Sequence, residues 1–251
     1  AIANANDTTN GRPYTDCSAG DPAGADTITL PFGGTFMIGQ TDNDLYGPTG
    51  LPAIETTLTI TGNGATIQRA ADEPFRLLAV AGSGDLTLQN VNLTNGFLDY
   101  DYGGAVLAYG DLTIRDCTFS GNEAYGGGAI LAYGVQVTIV GSQFKDNTAV
   151  SGGGLSLQYS TTSISETTIS GGEGPSGWGG GGLYLLESQV SISDSVLSGN
   201  SNAGGGGGLK AANSTLSLND SQVADNKGSA SYGGGLYLYN SQANILRTTI
   251  S

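Results

Sequence analysis

The residues in this chain that could do chemistry are few and scattered. Asp42-Asn43-Asp44, followed by Gly47, has the acidic, turn-forming look of a calcium loop. Asp99 and Asp101 flank Tyr100 in a second acidic tip. A calcium cage needs roughly six to eight oxygens, and neither stretch continues with the spacing of an EF-hand. The plain alternative for Asp42, Asp44, Asp99 and Asp101 is solvated loop carboxylates. Calcium is the one cofactor the sequence brings into question. Cleaving a polysaccharide would take paired carboxylates or a metal-held acid, together with a cationic base or clamp. The chain has no His, and its five arginines (Arg12, Arg69, Arg76, Arg115, Arg247) do not recur at one spacing. No acid pair recurs either. These residues favour a non-catalytic protein over an enzyme, and no catalytic residue is assigned.

Aromatic residues are a different matter. Tyr109, Tyr133 and Tyr159 follow one another at nearly the same interval. Stacked tyrosines can form a platform for a glycan or a protein, because their rings are rigid and amphipathic. They can equally be structural partners on a sheet. Trp178 lies in the stretch 171–180, the longest interruption of the repeat, and reads as an exposed contact or a flap.

What must position these groups is a repeat. Gly103-Gly104-Ala105-Val106-Leu107 returns as Gly127-Gly128-Ala129-Ile130-Leu131, then with Leu155, Leu183, Leu209 and Leu236 in the alanine slot. The anchors stand at 105, 129, 155, 183, 209 and 236, so every step falls between 24 and 28. That is the size of a solenoid unit. Two further columns are apolar: Ile114, Ile139, Ile164, Ile192, Leu218, Ile245, and Phe119, Phe144, Ile169, Leu197, Val223, Ile250. The alternate column Val106, Ile130, Ser156, Tyr184, Lys210, Tyr237 mixes chemistry, which marks it as outward. Short alternating stretches without helical periodicity give three strands per unit. The expected fold is all-β, a right-handed parallel β-helix with three short strands per coil, each coil being one step of that repeat. Residues 1–25 read as the remnant of an N-terminal cap and a loop, and 26–251 as the β-helix. At a coil spacing of about 4.8 Å, six coils make a rod section of roughly 30 Å.

Two columns are polar. Asn122, Asn147, Asn200 and Asn226 share a slot, filled by Gly96 and Gly172 in other coils. Asn and Gly both tolerate a left-handed corner, and stacked amides can bond along the axis. Cys117, Ser142, Thr167, Ser195, Ser221 and Thr248 form a small, mostly hydroxylated column suited to satisfying backbone groups at a corner. Cys17 belongs several coils before Cys117, so no bridge between them is expected. Asn6, Asn92, Asn213 and Asn219 begin N-x-S/T sequons.

The bulk numbers exclude some partners. Net charge is −14, with 8 Lys+Arg against 22 Asp+Glu. That argues against nucleic acid and against an anionic membrane surface. There is no apolar run long enough to span a bilayer. The 43 glycines cluster once per repeat, so they read as turns rather than disorder. The start at Ala1-Ile2 and the stop within a repeat read as a piece of something longer.

The units GGAV and GGAI, followed by FSGN (119–122) and FKDN (144–147), resemble the GGA[IV]…FxxN repeats of chlamydial polymorphic outer-membrane proteins. The later coils relax FxxN to LSGN and VADN. The opening AIANAN, with GADTITLP, LTITGNGATI and FRLLAV, is similar to secreted bacterial CSLREA β-helix proteins, without the CSLRE letters. These resemblances imply a pectate-lyase-like β-helix outside a bacterial cell, extracellular or at its surface. They imply adhesin-like passengers more than any assigned activity. The expectation is a non-catalytic structural or adhesive module, with glycan or extracellular protein as partner and head-to-tail self-assembly as a sharper variant. The alternative is a polysaccharide-binding or polysaccharide-cleaving β-helix.

Overall fold

A computed structural model describes residues 2–5, 24–175, 178–229 and 232–251. Strands form where aliphatic residues alternate with small polar ones, and stop where a left-handed residue turns the chain. One face stacks seven parallel strands: Leu78–Val80, Val106–Ala108, Ile130–Tyr133, Leu155–Gln158, Leu183–Leu186, Leu209–Ala212 and Leu236–Tyr239. A second face stacks Asp111–Arg115, Gln136–Val140, Thr161–Ser165, Gln189–Ser193, Thr215–Asn219 and Gln242–Leu246. A third stacks Thr118–Ser120, Gln143–Lys145, Thr168–Ser170, Val196–Ser198, Gln222–Ala224 and Thr249–Ile250. The long strands Thr57–Arg69 and Asp85–Thr94 run through the corner between the second and third faces and join them into one sheet. Gly62-Asn63-Gly64 is therefore a bend inside a strand, where the register shifts, and not a turn between two strands. On the fourth side, short strands Glu123–Gly126, Thr148–Ser151, Glu173–Gly174 and Ser201–Asn202 add a narrow ribbon.

The corners are left-handed columns. Between the first and second faces lie Gly134, Tyr159, Glu187, Asn213 and Asn240, all at positive φ. Between the second and third lie Asn90, Asp116, Gly141, Glu166, Asp194, Asp220 and Arg247. After the third lie Asn95, Gly121, Asp146, Gly171, Gly199 and Asp225. From Gly134 onward the step from the first corner to the second is a constant seven: 134 to 141, 159 to 166, 187 to 194, 213 to 220, 240 to 247. The step from the second to the third is a constant five: 116 to 121, 141 to 146, 166 to 171, 194 to 199, 220 to 225. The return to the first corner is longer and varies, from thirteen (121 to 134, 146 to 159) to sixteen (171 to 187).

The core lies in the bore. The isoleucine column and the phenylalanine column stack in the register read from sequence. Phe119 and Phe144 lie face to face, 4.8 Å apart and 2° from parallel. The first-face column requires a correction. Leu155 stacks on Ile130, and Ile130 on Val106. Ala105 and Ala129 are not in that column. The inward set is Val106, Ile130, Leu155, Leu183, Leu209 and Leu236. The outward set begins Leu107, Leu131, Ser156. The slip arises because Gly152, Gly153 and Gly154 form a triplet, and it is Gly152 that shares the left-handed position of Gly127. Aligning the last two glycines of each cluster therefore misplaces the first two coils by one position.

The N-terminal helix, Ile2–Ala5, seats Ile2 and Ala5 in the same core. Thr56 Oγ1 donates to the Ala5 carbonyl at 3.2 Å. Beside it, an apolar cavity of about 410 Å³ is lined mainly by Ile28, Leu30, Phe36, Ile60 and Ile67.

Candidate functional site

The tyrosines come from the corner where the first face turns into the second. Tyr109 precedes that corner and pairs by its backbone N–H with the Val80 carbonyl below. Tyr133 is level with Gln158, not with Tyr159, because the first-face strands pair Tyr133 with Gln158. Tyr159 follows Gln158, on the left-handed corner itself, at φ 54°. The shared slot expected for Tyr109, Tyr133 and Tyr159 is thus not a shared backbone position. The rings nevertheless converge. Tyr109 and Tyr133 lie 6.1 Å apart, and Tyr133 and Tyr159 lie 5.1 Å apart, with ring planes tilted by 65° and 57°. Tyr46, from the loop after Ile38, extends the row at 5.7 Å from Tyr109. The rings of Tyr109, Tyr133 and Tyr159 remain 39–46% exposed.

Arg76 anchors the start of this row. Its side chain is fully buried. Nη2 meets Asp101 Oδ2 at 2.6 Å, Nε donates to the Tyr102 carbonyl at 3.1 Å, and Nη1 donates to Thr49 Oγ1 and to the Tyr46 carbonyl. Burial pulls the guanidinium pKa down and Asp101 pulls it back up. One arginine thereby ties the loop carrying Tyr46 to the loop carrying Asp101. Composition gave no sign that Arg76 would be internal. Its place just after Pro74-Phe75, inside an apolar run ending at Val80, was the only signal.

The other acidic candidates are more dispersed. Asp101 is engaged by Arg76 and accepts the Tyr102 N–H at 2.8 Å. Asp42 donates its backbone N–H to the Thr49 carbonyl, and Asn43 Nδ2 donates to its carboxylate. Asp44 closes a turn by accepting the Gly47 N–H at its carbonyl, and Asp99 is exposed. Among the described residues, no three His, Cys, Asp or Glu side chains gather as metal ligands. One acid pair was not seen in the sequence. Asp85 and Asp111 stand in register on adjacent strands, and burial plus the Asp111 charge push the Asp85 carboxyl up. The signal was available in their matching places before Leu86 and Leu112.

Trp178 is 75% exposed. Its carbonyl accepts Lys210 Nζ at 2.7 Å, and Lys210 also lies 5.5 Å from the Tyr237 ring. Trp178 forms no ring pair with the tyrosine row.

The asparagines are scaffold groups. Asn122 donates from both its backbone N and Nδ2 to Asn147 Oδ1, at 2.9 and 3.0 Å. Asn200 does the same to Asn226 Oδ1. Gly96 N donates to Asn122 and Gly172 N to Asn200. Gly172 splits the ladder into two pairs. In the hydroxyl column, the N–H of Cys117, Ser142, Thr167, Ser195 and Ser221 each donates to the hydroxyl of the next coil. A third ladder, Val135, Ser160, Ser188, Ser214 and Ser241, does the same at the tyrosine corner. Sequence reading missed it because Val135 opens the column without a hydroxyl. Cys117 is buried and free, and Cys17 and the Asn6 sequon lie outside the described residues. No described helix is long and apolar enough to cross a membrane.

A parallel coil with three ladder-closed corners, whose ionic groups largely serve its own loops, defines a β-solenoid. Residues 76–251 match the family described as right handed beta helix region, and the chain belongs to that family. No curated protein and no solved structure matches the chain.

Proposed function

We propose that this protein is a non-catalytic structural or adhesive module that works outside a bacterial cell and makes contact through its flanks. The observation that carries the reading is what the polar groups do. Arg76 and Asp101 fasten loops, Arg69 bonds the carbonyls of Ala71, Glu73 and Asn95, and Arg247 holds Asp220 through two bonds. The Asn, Ser and Thr columns close corners. A catalytic constellation would instead hold an acid, a base and a clamp around one vacant point.

The polysaccharide-cleaving alternative has one observation in its favour, the stacked Asp85 and Asp111, since a carboxyl raised by burial and then by a like charge is the pattern of a general acid. One assay separates the readings. The protein is incubated with acidic and neutral polysaccharides, products are followed, and retention on immobilised glycans and extracellular proteins is measured in parallel. Retention without products is expected. Products that vanish in Asp85→Asn would establish the enzyme and end the proposal.

Head-to-tail assembly is the narrower version of the structural reading. Each coil pairs with the next through parallel strands, and a second copy would stack through the same kind of edge. The Ile2–Ala5 helix lies on the core, so a copy stacking there has to displace it. Sedimentation of the whole chain should show short rods growing with concentration. Rods of one length at every concentration would count against assembly.

A further inference from the structure

We propose that the row Tyr46, Tyr109, Tyr133, Tyr159 is a binding strip for an extended basic segment of a partner protein. The inference rests on the contact-making reading above and names the contact.

Four observations point to it. First, the row is built against backbone preference. Of the described non-glycine residues at positive φ, Tyr159 is the one aromatic. Bulky side chains are outliers there, and the corners of the adjacent coils carry Gly134 and Glu187. A purely structural corner would be served by Gly or Asn, as at Gly134 and Asn213. Local strain that persists is a pointer to use.

Second, the strip is preassembled. Arg76 holds the Tyr46 loop through the Tyr46 carbonyl and Thr49, and the rings brace each other at 5.1–6.1 Å. Little ordering remains to be done on binding.

Third, the charge is right for a cation. The chain carries −14. The Glu187 charge is the largest influence raising the Tyr159 pKa. Burial and then Asp101 raise that of Tyr109. The guanidinium beside the row, Arg76, is paired with Asp101. Half-exposed tyrosine faces in a negative field attract ammonium and guanidinium groups within about 6 Å of the ring centroid. A neutral glycan gains nothing from that field, and an anionic one is repelled.

Fourth, the spacing fits. Alternate side chains of an extended peptide lie about 6.6 Å apart, close to the ring-to-ring step. Because the rings are tilted by 42–65°, successive notches open between them rather than one flat plate. Such notches suit separate cationic heads better than the broad face of a sugar.

The test uses the whole chain and a synthetic peptide alternating arginine and serine, with an alternating glutamate–serine peptide and cellohexaose as comparators. The arginine peptide should bind, more weakly as salt rises, and the comparators should not. Tyr133→Ser should weaken binding at least about tenfold, whereas Trp178→Ser, which has no ring contact with the row, should leave it unchanged. Tyr159→Asn is the decisive variant: it relieves the corner, so its melting temperature should rise while its affinity falls. Equal binding by the parent and Tyr133→Ser would reduce the effect to net charge and overturn the proposal. So would cellohexaose binding in place of the peptide, or Tyr159→Asn melting lower with affinity intact. If the strip fails while the chain is still retained on extracellular proteins, only the strip is lost. Product formation from polysaccharides would remove the broader reading instead.

Discussion

Single residues in this molecule are judged by what the neighbouring coil does with them. Thr162 faces the bore between Val137 and Val190, and its hydroxyl is buried without a partner. An unmatched hydroxyl costs about 1–3 kcal/mol, and valine has the same shape without it. Thr162→Val should therefore raise stability by about 1 kcal/mol, read as a higher denaturant midpoint at unchanged slope. Cys117 behaves as a member of the hydroxyl column. Its Sγ donates to the Arg115 carbonyl as Ser142 Oγ donates to Val140. Burial pushes its thiol pKa up to about 11. The thiol, not the thiolate, is then present in the folded state up to mildly alkaline pH. Alkylation at mildly alkaline pH should be slow until denaturant is added, and Cys117→Ser should cost about 1 kcal/mol or less.

At the scale of the element, the unit of stability is a corner ladder. Asn147 accepts two bonds from Asn122 and donates to the Phe119 carbonyl. Asn147→Ala leaves those partners buried and should cost about 2–4 kcal/mol in chemical denaturation. Gly172→Asn looks like the completion of the same ladder, yet it should destabilise. A Cβ at Gly172 would meet the Gly181 carbonyl oxygen at 2.5 Å and Asn200 Oδ1 at 2.9 Å, and overpacking against backbone costs about 1–3 kcal/mol. The same contrast explains what was legible in the sequence. The isoleucine, phenylalanine, asparagine and threonine–serine columns could be read because each repeats a side-chain type at a fixed distance from its corner. The first-face column slipped because glycines carry no label, and three in a row can be aligned in more than one way. The tyrosine row could be guessed from spacing, but its fourth ring, Tyr46, could not, since a loop outside the repeat delivers it. Arg76 was hidden for the opposite reason: its partners, Tyr46, Thr49, Asp101 and Tyr102, come from two loops that the repeat does not describe.

For the whole molecule, the dominant long-range term is its own charge. A rod carrying −14 repels itself, and salt screens exposed charges beyond about 8–10 Å. Melting temperature should therefore climb between low and physiological ionic strength. The Arg76–Asp101 clamp, with its guanidinium buried, should contribute little to that slope, so Asp101→Asn should lower the melting curve while keeping its salt dependence. A parallel curve would support this, and a flat one would mean that the clamp, not the surface, sets the response.

The constant steps of seven and five between corners, against a return that varies from thirteen to sixteen, leave one longitudinal seam where length is negotiable. In the coils with constant steps the other sides are cut to measure, and a single insertion within a strand there would turn the rest of that strand to the wrong face. Along the seam, by contrast, the stretch containing Trp178 is already longer than its neighbours without disturbing the coils on either side. New loops, tags or binding epitopes belong on that line, where the molecule can grow outward while its bore stays the same.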